Sequence, residues 1–121
     1  MPNANRYPGP PAALDRYRAV VEASGADVVI KGAKNPYTSH NGHMFSFLDA
    51  DGNLALRLPD DLRAEFEQRY ETGPVVQYGA VMRGYVAVPS PLIDETDELA
   101  SWFHRSHEWI GTLPPKPTKK R

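Results

Sequence analysis

The fold of this chain is decided by residues 43–58, HMFSFLDADGNLALRL, which are typical of two strands joined by a polar turn. Side chains alternate across a strand, so we predict that Phe45 and Phe47 share the core face and that Met44 and Leu48 share the other. In the second strand the same alternation places the leucines on one face: Leu54, Leu56 and Leu58. Between the strands, residues 49–53 (DADGN) combine side chains that favour Asx turns with one glycine, which predicts a hairpin loop.

Length and composition restrict the chain to one domain. With 121 residues, of which 40% are hydrophobic, it can build a single core. We predict a flexible segment over residues 1–10, one domain over 11–113 and a basic, proline-rich tail over 114–121.

The absence of cysteine excludes disulfides and thiolate chemistry and suits a reducing compartment. No apolar run approaches the roughly 18 residues of a membrane span, and no signal peptide is recognisable, so we expect a soluble, cytoplasmic protein without a membrane partner.

The net charge of −1 hides an asymmetry along the chain. Four basic residues lie in the tail, at positions 116 and 119–121, and without them 10 basic residues remain against 15 acidic ones, a net charge of −5. A body of that sign does not attract a phosphate backbone over its whole surface. Nucleic-acid binding would therefore have to depend on the tail or on a local patch.

The other elements follow from periodicity and breakers. A first helix is predicted over residues 11–24, with Gly25 as its C-terminal cap, followed by a β-branched run at 28–30 that should open the sheet. Residues 37–39 should resume as a strand before the tight turn at Asn41 and Gly42. A helix follows Pro59, a second strand pair covers 75–78 and 83–88, and a final helix starts within 94–98. Its apolar stripe is Leu99, Trp102, Phe103, Ser106 and Ile110. The predicted fold class is α+β, a two-layer domain with an antiparallel sheet, in the order α-β-β-β-α-β-β-α.

Two strings of residues carry a family resemblance. The first is NGHMFSFLDADGNLALRLPDDLRAEFE, and a hairpin ending in GYVAVP and a helix containing SWFHRSHEW follow it. Together they resemble the TfoX/Sxy amino-terminal domain over residues 12–113, and they are also similar to the YjbR/MmcQ family. The resemblance implies the element order derived above. For TfoX it implies a link to the regulation of natural competence, and for YjbR-like proteins a role in DNA binding. A Met-Phe-Gly-Gly signature expected in the first TfoX hairpin is replaced here by residues 35–39, NPYTS, and neither family supplies a catalytic motif.

The four histidines, at positions 40, 43, 104 and 107, are the candidates for metal binding. His40 belongs to a turn and His104 lies near the solvent side of its helix, so we predict no metal site and no cofactor. Ser39 lies beside His40 but lacks a nucleophile elbow and an orienting acid, so we predict no catalytic residue and no enzyme.

A set of polar and aromatic residues on strands and turns is the candidate ligand site or interface: Tyr37, His40, Asn41, His43, Tyr78, Arg83 and Tyr85. Some of them could share a sheet face that no helix covers. We therefore predict a small regulatory binding domain that forms a homodimer through its sheet, with Tyr37, Tyr78 and Arg83 as the residues to test. The alternatives are a nucleic-acid accessory protein that uses the basic tail and an enzyme with a histidine-lined pocket. A protein partner or a small ligand stays unidentified.

Overall fold

The helices and strands follow the predicted order. A computed structural model describes residues 7–77 and 79–115. The elements are α1 (Pro11–Ser24), β1 (Tyr37–His40), β2 (His43–Leu48), β3 (Leu54–Arg57), α2 (Asp60–Tyr70), β4 (Pro74–Gln77), β5 (Ala80–Ala87), α3 (Ser90–Ile93) and α4 (Thr96–Thr112). The predicted α+β class and element order are confirmed, and the short α3 precedes the long final helix.

The five strands form one antiparallel sheet in the order β1-β2-β3-β5-β4. Apolar residues of all four helices pack with Phe45, the three β3-region leucines and Val86 into the main core. A second, smaller cluster contains strand residues only and lies on the opposite face of the sheet. We call these two sides the helix face and the outer face.

The first helix begins and ends where the sequence predicts. Pro11 occupies the first turn, where its missing N–H leaves no hydrogen bond unmade, and Gly25 ends the helix with a φ of 72°. Tyr17 and Val20 are fully buried on its inner side. The helix packs against α4 and β2, so it belongs to the layer that covers the sheet.

Both hairpin turns of the first three strands have the predicted chemistry. Asn41 and Gly42 adopt φ values of 60° and 82°, as a two-residue hairpin turn with a right-handed twist requires. In the second loop the Asp49 Oδ1 accepts hydrogen bonds from the backbone N–H groups of Asp51 and Asn53, at 2.9 and 2.8 Å. These local bonds fix the loop, and the Tyr7 hydroxyl adds a 2.5 Å hydrogen bond to the Asp49 carbonyl.

The prediction that Phe45 and Phe47 share a face is wrong. Thr38 lies opposite Ser46 and Ser39 opposite Met44, so Phe45 is an extra residue without a partner in β1. Such a β-bulge interrupts the alternation of side chains. Phe45 and Leu48 therefore lie in the main core, whereas Met44 and Phe47 join the outer-face cluster.

The prediction that residues 28–30 open the sheet is also wrong. Val29 is 70% exposed, and the contact with the sheet is an isolated bridge in which Lys31 and Tyr37 exchange backbone hydrogen bonds of 2.8 and 2.9 Å. Gly32 follows with a φ of 79° and begins the loop that leads to Tyr37. The β-branched run is thus an irregular segment beside the edge of β1.

The last strand pair contains a large irregularity. Pro74 lies opposite Val86, but Val75 lies opposite Met82, so three residues of β5 are accommodated between two consecutive positions of β4. Gly84, within this insertion, has a φ of 85°. The rest of the hairpin continues past it, and Val75 and Met82 pack into the outer-face cluster.

Some predicted features lie outside the described residues: Tyr78, residues 1–6 of the predicted flexible segment and residues 116–121 of the tail. Within the described ranges no helix has both the length and the apolar character that crossing a bilayer requires.

Candidate functional site

Three of the predicted site residues lie together at the turn between β1 and β2, where they contact the end of α4. Asn41 Nδ2 donates a hydrogen bond of 3.0 Å to the Leu113 carbonyl, and His43 Nε2 lies 2.9 Å from the Pro114 carbonyl oxygen. A carbonyl oxygen only accepts, so His43 carries its proton on Nε2 in this contact. These side chains hold the end of the last helix against the sheet.

His40 belongs to the same cluster and stacks on His107 of α4. Their ring centroids are 4.2 Å apart, and the planes are inclined by 29°. A Cβ atom placed on Gly111 would lie 3.3 Å from His40 Nε2, so the absence of a side chain there leaves room for the ring. Three of the four histidines that were candidates for metal binding, His40, His43 and His107, thus lie near this turn.

His107 is the most unusual of these side chains. Its Nε2 is buried and has no hydrogen-bond partner among the described residues. Burial lowers the pKa of His107, and the neighbouring His40 and His104 lower it further. His104 itself is exposed and pairs with Glu108 at 3.4 Å, so it does not join the other three. Across residues 7–77 and 79–115, no three His, Asp or Glu side chains gather as a metal ion would require.

Tyr85 does not lie on an open surface as the candidate site required. It is only 7% exposed, its ring centroid lies 5.3 Å from that of Phe47, and its hydroxyl donates a 2.6 Å hydrogen bond to the Met44 carbonyl. Burial raises the pKa of Tyr85 to about 12. It is a structural member of the outer-face cluster, together with Ala55, Val75, Met44, Phe47, Met82 and Ala87.

An open cleft of about 640 Å³ lies on the outer face beside this cluster. Met44, Phe47 and Tyr37 line one side, and Val76 and Met82 of the last hairpin line the other. Asp49 and Asp51 stand at its rim. Tyr37 is therefore the predicted site residue that the structure brings to this cleft, while the histidines lie at the turn.

The last hairpin also presents an unprotected edge. β4 is an edge strand, and Val76 pairs with Val81 across the hairpin, each 59% exposed. In the sequence no charged residue lies between Glu71 and Arg83. Natural edge strands usually carry charges, prolines or bulges that prevent pairing with another chain. Among the described residues of β4, Pro74 at its start and the irregular pairing with β5 beside it are such features, and the rest of the strand carries neither a charge nor a proline.

A second groove, of about 740 Å³, brings together three arginines that the sequence places far apart: Arg57, Arg63 and Arg83. Arg83 was a predicted site residue, whereas Arg57 and Arg63 were not. They come from three different elements, β3, α2 and β5. The sequence predicts an outward position for each of them, but this is true of most surface arginines and does not indicate that the three lie together.

Comparison with known proteins agrees with this architecture. A search of curated proteins and a search of solved structures found no match. A sequence model of the TfoX N-terminal domain, in contrast, matches residues 38–110, from β1 to the last turns of α4. This match covers more than half of the chain and confirms the resemblance predicted to TfoX; the similarity to YjbR-like proteins stays a prediction. The chain belongs to the TfoX N-terminal domain family.

Proposed function

We propose that residues 11–113 form a small, cytoplasmic binding domain with a regulatory role, and that it acts as a homodimer joined through the edge strand β4. The observation that carries the proposal is the exposed pair of Val76 and Val81 on an edge that bears no charge. Two properties of this edge, its backbone and its side chains, favour a second copy as the partner.

The backbone of β4 supplies the hydrogen bonds. β4 pairs with β5 on one side, and within the described residues no strand lies on its other side. The outward N–H and C=O groups of such a strand are ready to pair with another strand. Two copies related by a twofold axis present the same groups to each other in antiparallel orientation, so the edge is complementary to itself.

The side chains supply the apolar contact. Around the twofold axis, Val76 would lie beside the β4 strand of the second copy and lose much of its exposed surface, and Val81, one strand further from the axis, would extend this apolar strip. The uncharged stretch from residue 72 to residue 82 brings no like charges together. A partner of opposite charge would find nothing to recognise there, which is why we assign the edge to a second copy.

The use of the polar side chains supports binding rather than catalysis. The hydroxyls of Tyr17 and Ser46 bond to each other, that of Tyr85 bonds to a strand carbonyl, and that of Ser106 donates a 2.6 Å bond to the Arg57 carbonyl. These groups join elements of the fold to one another. These hydroxyls are already hydrogen-bonded within the fold, which favours a structural role for them over a catalytic one.

Light scattering tests the dimer, with Val76→Lys as the variant. At micromolar concentration we expect a mass near twice the 13.5 kDa of one chain for the unaltered protein and a mass near one chain for Val76→Lys. A lysine on an edge strand repels its counterpart on the second copy and disfavours pairing. Circular dichroism checks that the variant is folded.

Two controls locate the interface. Val29→Lys introduces the same charge at a valine that is also exposed, 70% against 59% for Val76, but lies in the segment before β1, and it should remain dimeric. Tyr37→Ala, on the opposite edge strand, should remain dimeric as well. A monomeric unaltered protein, or an equal loss of dimer in Val76→Lys and Val29→Lys, contradicts the proposal.

A further inference from the structure

The groove that contains Arg57, Arg63 and Arg83 is separate from the outer-face cleft and has a different chemistry. It lies between the start of α2, the irregular part of β5 and the last turns of α4. Asp60 and Glu67 are its two acidic members, so the three guanidinium groups outnumber the carboxylates. The chain without its basic tail has a net charge of −5, so this positively charged groove differs in sign from the domain as a whole.

Arg57 is held in place within the groove. Its guanidinium carbon lies 5.3 Å from the centre of the Trp109 ring, a cation–π contact. On the other side its stem passes over the backbone of Gly84, where a Cβ atom would lie 3.5 Å from Arg57 Nε. Glycine at this position accommodates the positive φ of the bulge, and the arginine stem lies in ordinary van der Waals contact with it. The Arg57 side chain is half-buried and is supported from both sides by these two contacts.

The charges of the three arginines are compensated unequally. Arg63 pairs with Asp60 at 3.0 Å, although the Asp60 side chain is almost fully exposed to solvent. Among the described residues neither Arg57 nor Arg83 forms an ion pair with a carboxylate. A half-buried cation without an anion has lost part of its hydration, and an anionic ligand would compensate that loss.

We propose that this groove binds a small molecule that carries a phosphoryl group. The planar fork of arginine donates two parallel hydrogen bonds to phosphate oxygens, and two or three such forks suit a group with more than one negative charge. The volume of the groove lies within the range of small-molecule sites. A long polyanion is disfavoured because its flanking phosphates would meet the acidic surface of the body.

Isothermal titration calorimetry at low salt tests the site with pyrophosphate and with ADP as probes. We expect binding of pyrophosphate, weakened about tenfold by Arg83→Gln, because a charge-assisted hydrogen bond is lost. Arg57→Lys keeps the charge but removes the fork, and it should weaken binding by about the same factor. Arg105→Gln is the matched control, since it removes one positive charge from an exposed position of α4 outside the groove, and it should change the affinity less than twofold.

The other outcomes each decide the question. Binding of ADP in addition to pyrophosphate supports the proposal and identifies a nucleotide as the source of the phosphoryl group. Tighter binding of a single-stranded oligonucleotide than of either probe, or equal binding of citrate, overturns it in favour of a polyanion or a carboxylate. No heat with either probe, or equal weakening by Arg105→Gln, also overturns it. Val76→Lys should retain pyrophosphate binding, because none of the three arginines lies in β4.

Discussion

The imidazole rings of His40 and His107 stack with their centroids 4.2 Å apart, and this contact joins the end of β1 to the last part of α4. The His107 ring also lies 5.8 Å from that of Phe45, so it forms part of the packing on the helix face. A protonated His107 would place a charge in this half-buried position beside a second histidine. The contact is therefore compatible with a neutral ring and disfavours a charged one.

Stability should decrease as the pH falls below the ordinary pKa of histidine. Burial, followed by His40 and His104, lowers the pKa of His107 in the folded chain, and the more weakly acting Asp27 and Glu108 oppose that shift. In the unfolded chain the ring binds a proton near pH 6.5, whereas the folded chain binds it only at lower pH. Between those two values the unfolded state binds more protons, so the free energy of unfolding falls with decreasing pH and is constant above about pH 6.5 as far as this group is concerned.

Urea unfolding at pH 7.5 and pH 5.5 measures this effect. His107→Leu removes the titrating group but keeps an apolar side chain, so the difference in unfolding free energy between the two pH values should shrink. His104→Gln changes an exposed histidine of the same helix and should leave most of that difference in place. An unchanged difference in His107→Leu would assign the pH dependence to other groups.

The β-bulge at Phe45 predicts unequal effects of two neighbouring phenylalanines. Phe45 is fully buried and its ring lies 5.1 Å from that of Phe103, so Phe45→Ala should cost about 3 to 5 kcal/mol of unfolding free energy. Phe47 is half-buried on the outer face, and its truncation should cost roughly 1 to 2 kcal/mol. Denaturant unfolding measures both variants. Equal losses would mean that the outer face is as tightly packed as the main core.

The hydroxyls of Tyr17, Ser46 and Thr38 form a buried chain in which Ser46 is the central member. Ser46 Oγ lies 2.5 Å from each of the other two oxygens. Burial raises the pKa of Tyr17 far above its ordinary value, so the phenol stays protonated and can donate. Tyr17→Phe leaves the bond between Thr38 and Ser46 and should cost about 1 kcal/mol.

Ser46→Ala should lower the free energy of unfolding more than Tyr17→Phe does, although each variant removes one hydroxyl. It deprives both Tyr17 and Thr38 of a partner in a site that water does not reach, and an unsatisfied buried hydroxyl costs about 1 to 3 kcal/mol. Thermal unfolding of the two variants side by side gives the comparison. A smaller loss in Ser46→Ala would show that a water molecule or a rotated hydroxyl replaces the missing oxygen.

Elements whose signals lie within one segment were predictable from the sequence. Features that depend on how a segment pairs with another strand of the chain were not. The bounds of α1 follow from Pro11, Gly25 and a helical stripe, all of which lie within one segment. The run at 28–30 has the same β propensity as a true strand, but the contact with the sheet in this segment is the single bridge of Lys31, the residue that follows the run. The inserted Phe45 leaves no trace in the pattern of residue types, because a bulge is decided by the register of both strands.

The candidate site was predictable only in part, for the same reason. His40, Asn41 and His43 are close in sequence, so their grouping at one turn could be expected, but their contacts with residues 113 and 114 could not. Tyr85 was assigned to an open face because the outer-face cluster that buries it combines residues of four strands. The grouping of three arginines likewise depends on how α2 packs against β5.

Removal of residues 116–121 should leave the stability of the domain unchanged to within about 0.5 kcal/mol, because a segment of Lys, Pro, Thr and Arg has little apolar surface to bury. The shortened chain keeps the Leu113 and Pro114 carbonyls, which accept the hydrogen bonds of Asn41 and His43. Thermal unfolding of the intact and shortened chains measures the difference. A fall of several degrees in Tm would show that the removed residues contact the domain.

The same truncation tests the alternative proposal that the tail binds nucleic acid. The removed residues carry four positive charges, and the remaining body has a net charge of −5. Binding that depends on the tail should therefore give a gel shift with duplex DNA at low salt that weakens steeply as salt rises and disappears in the shortened chain. A chain in which the four basic residues are replaced by glutamine, at unchanged length, should behave like the truncation. No shift of the intact chain at low salt eliminates this alternative, and a shift that survives the truncation would place the contact on the domain itself.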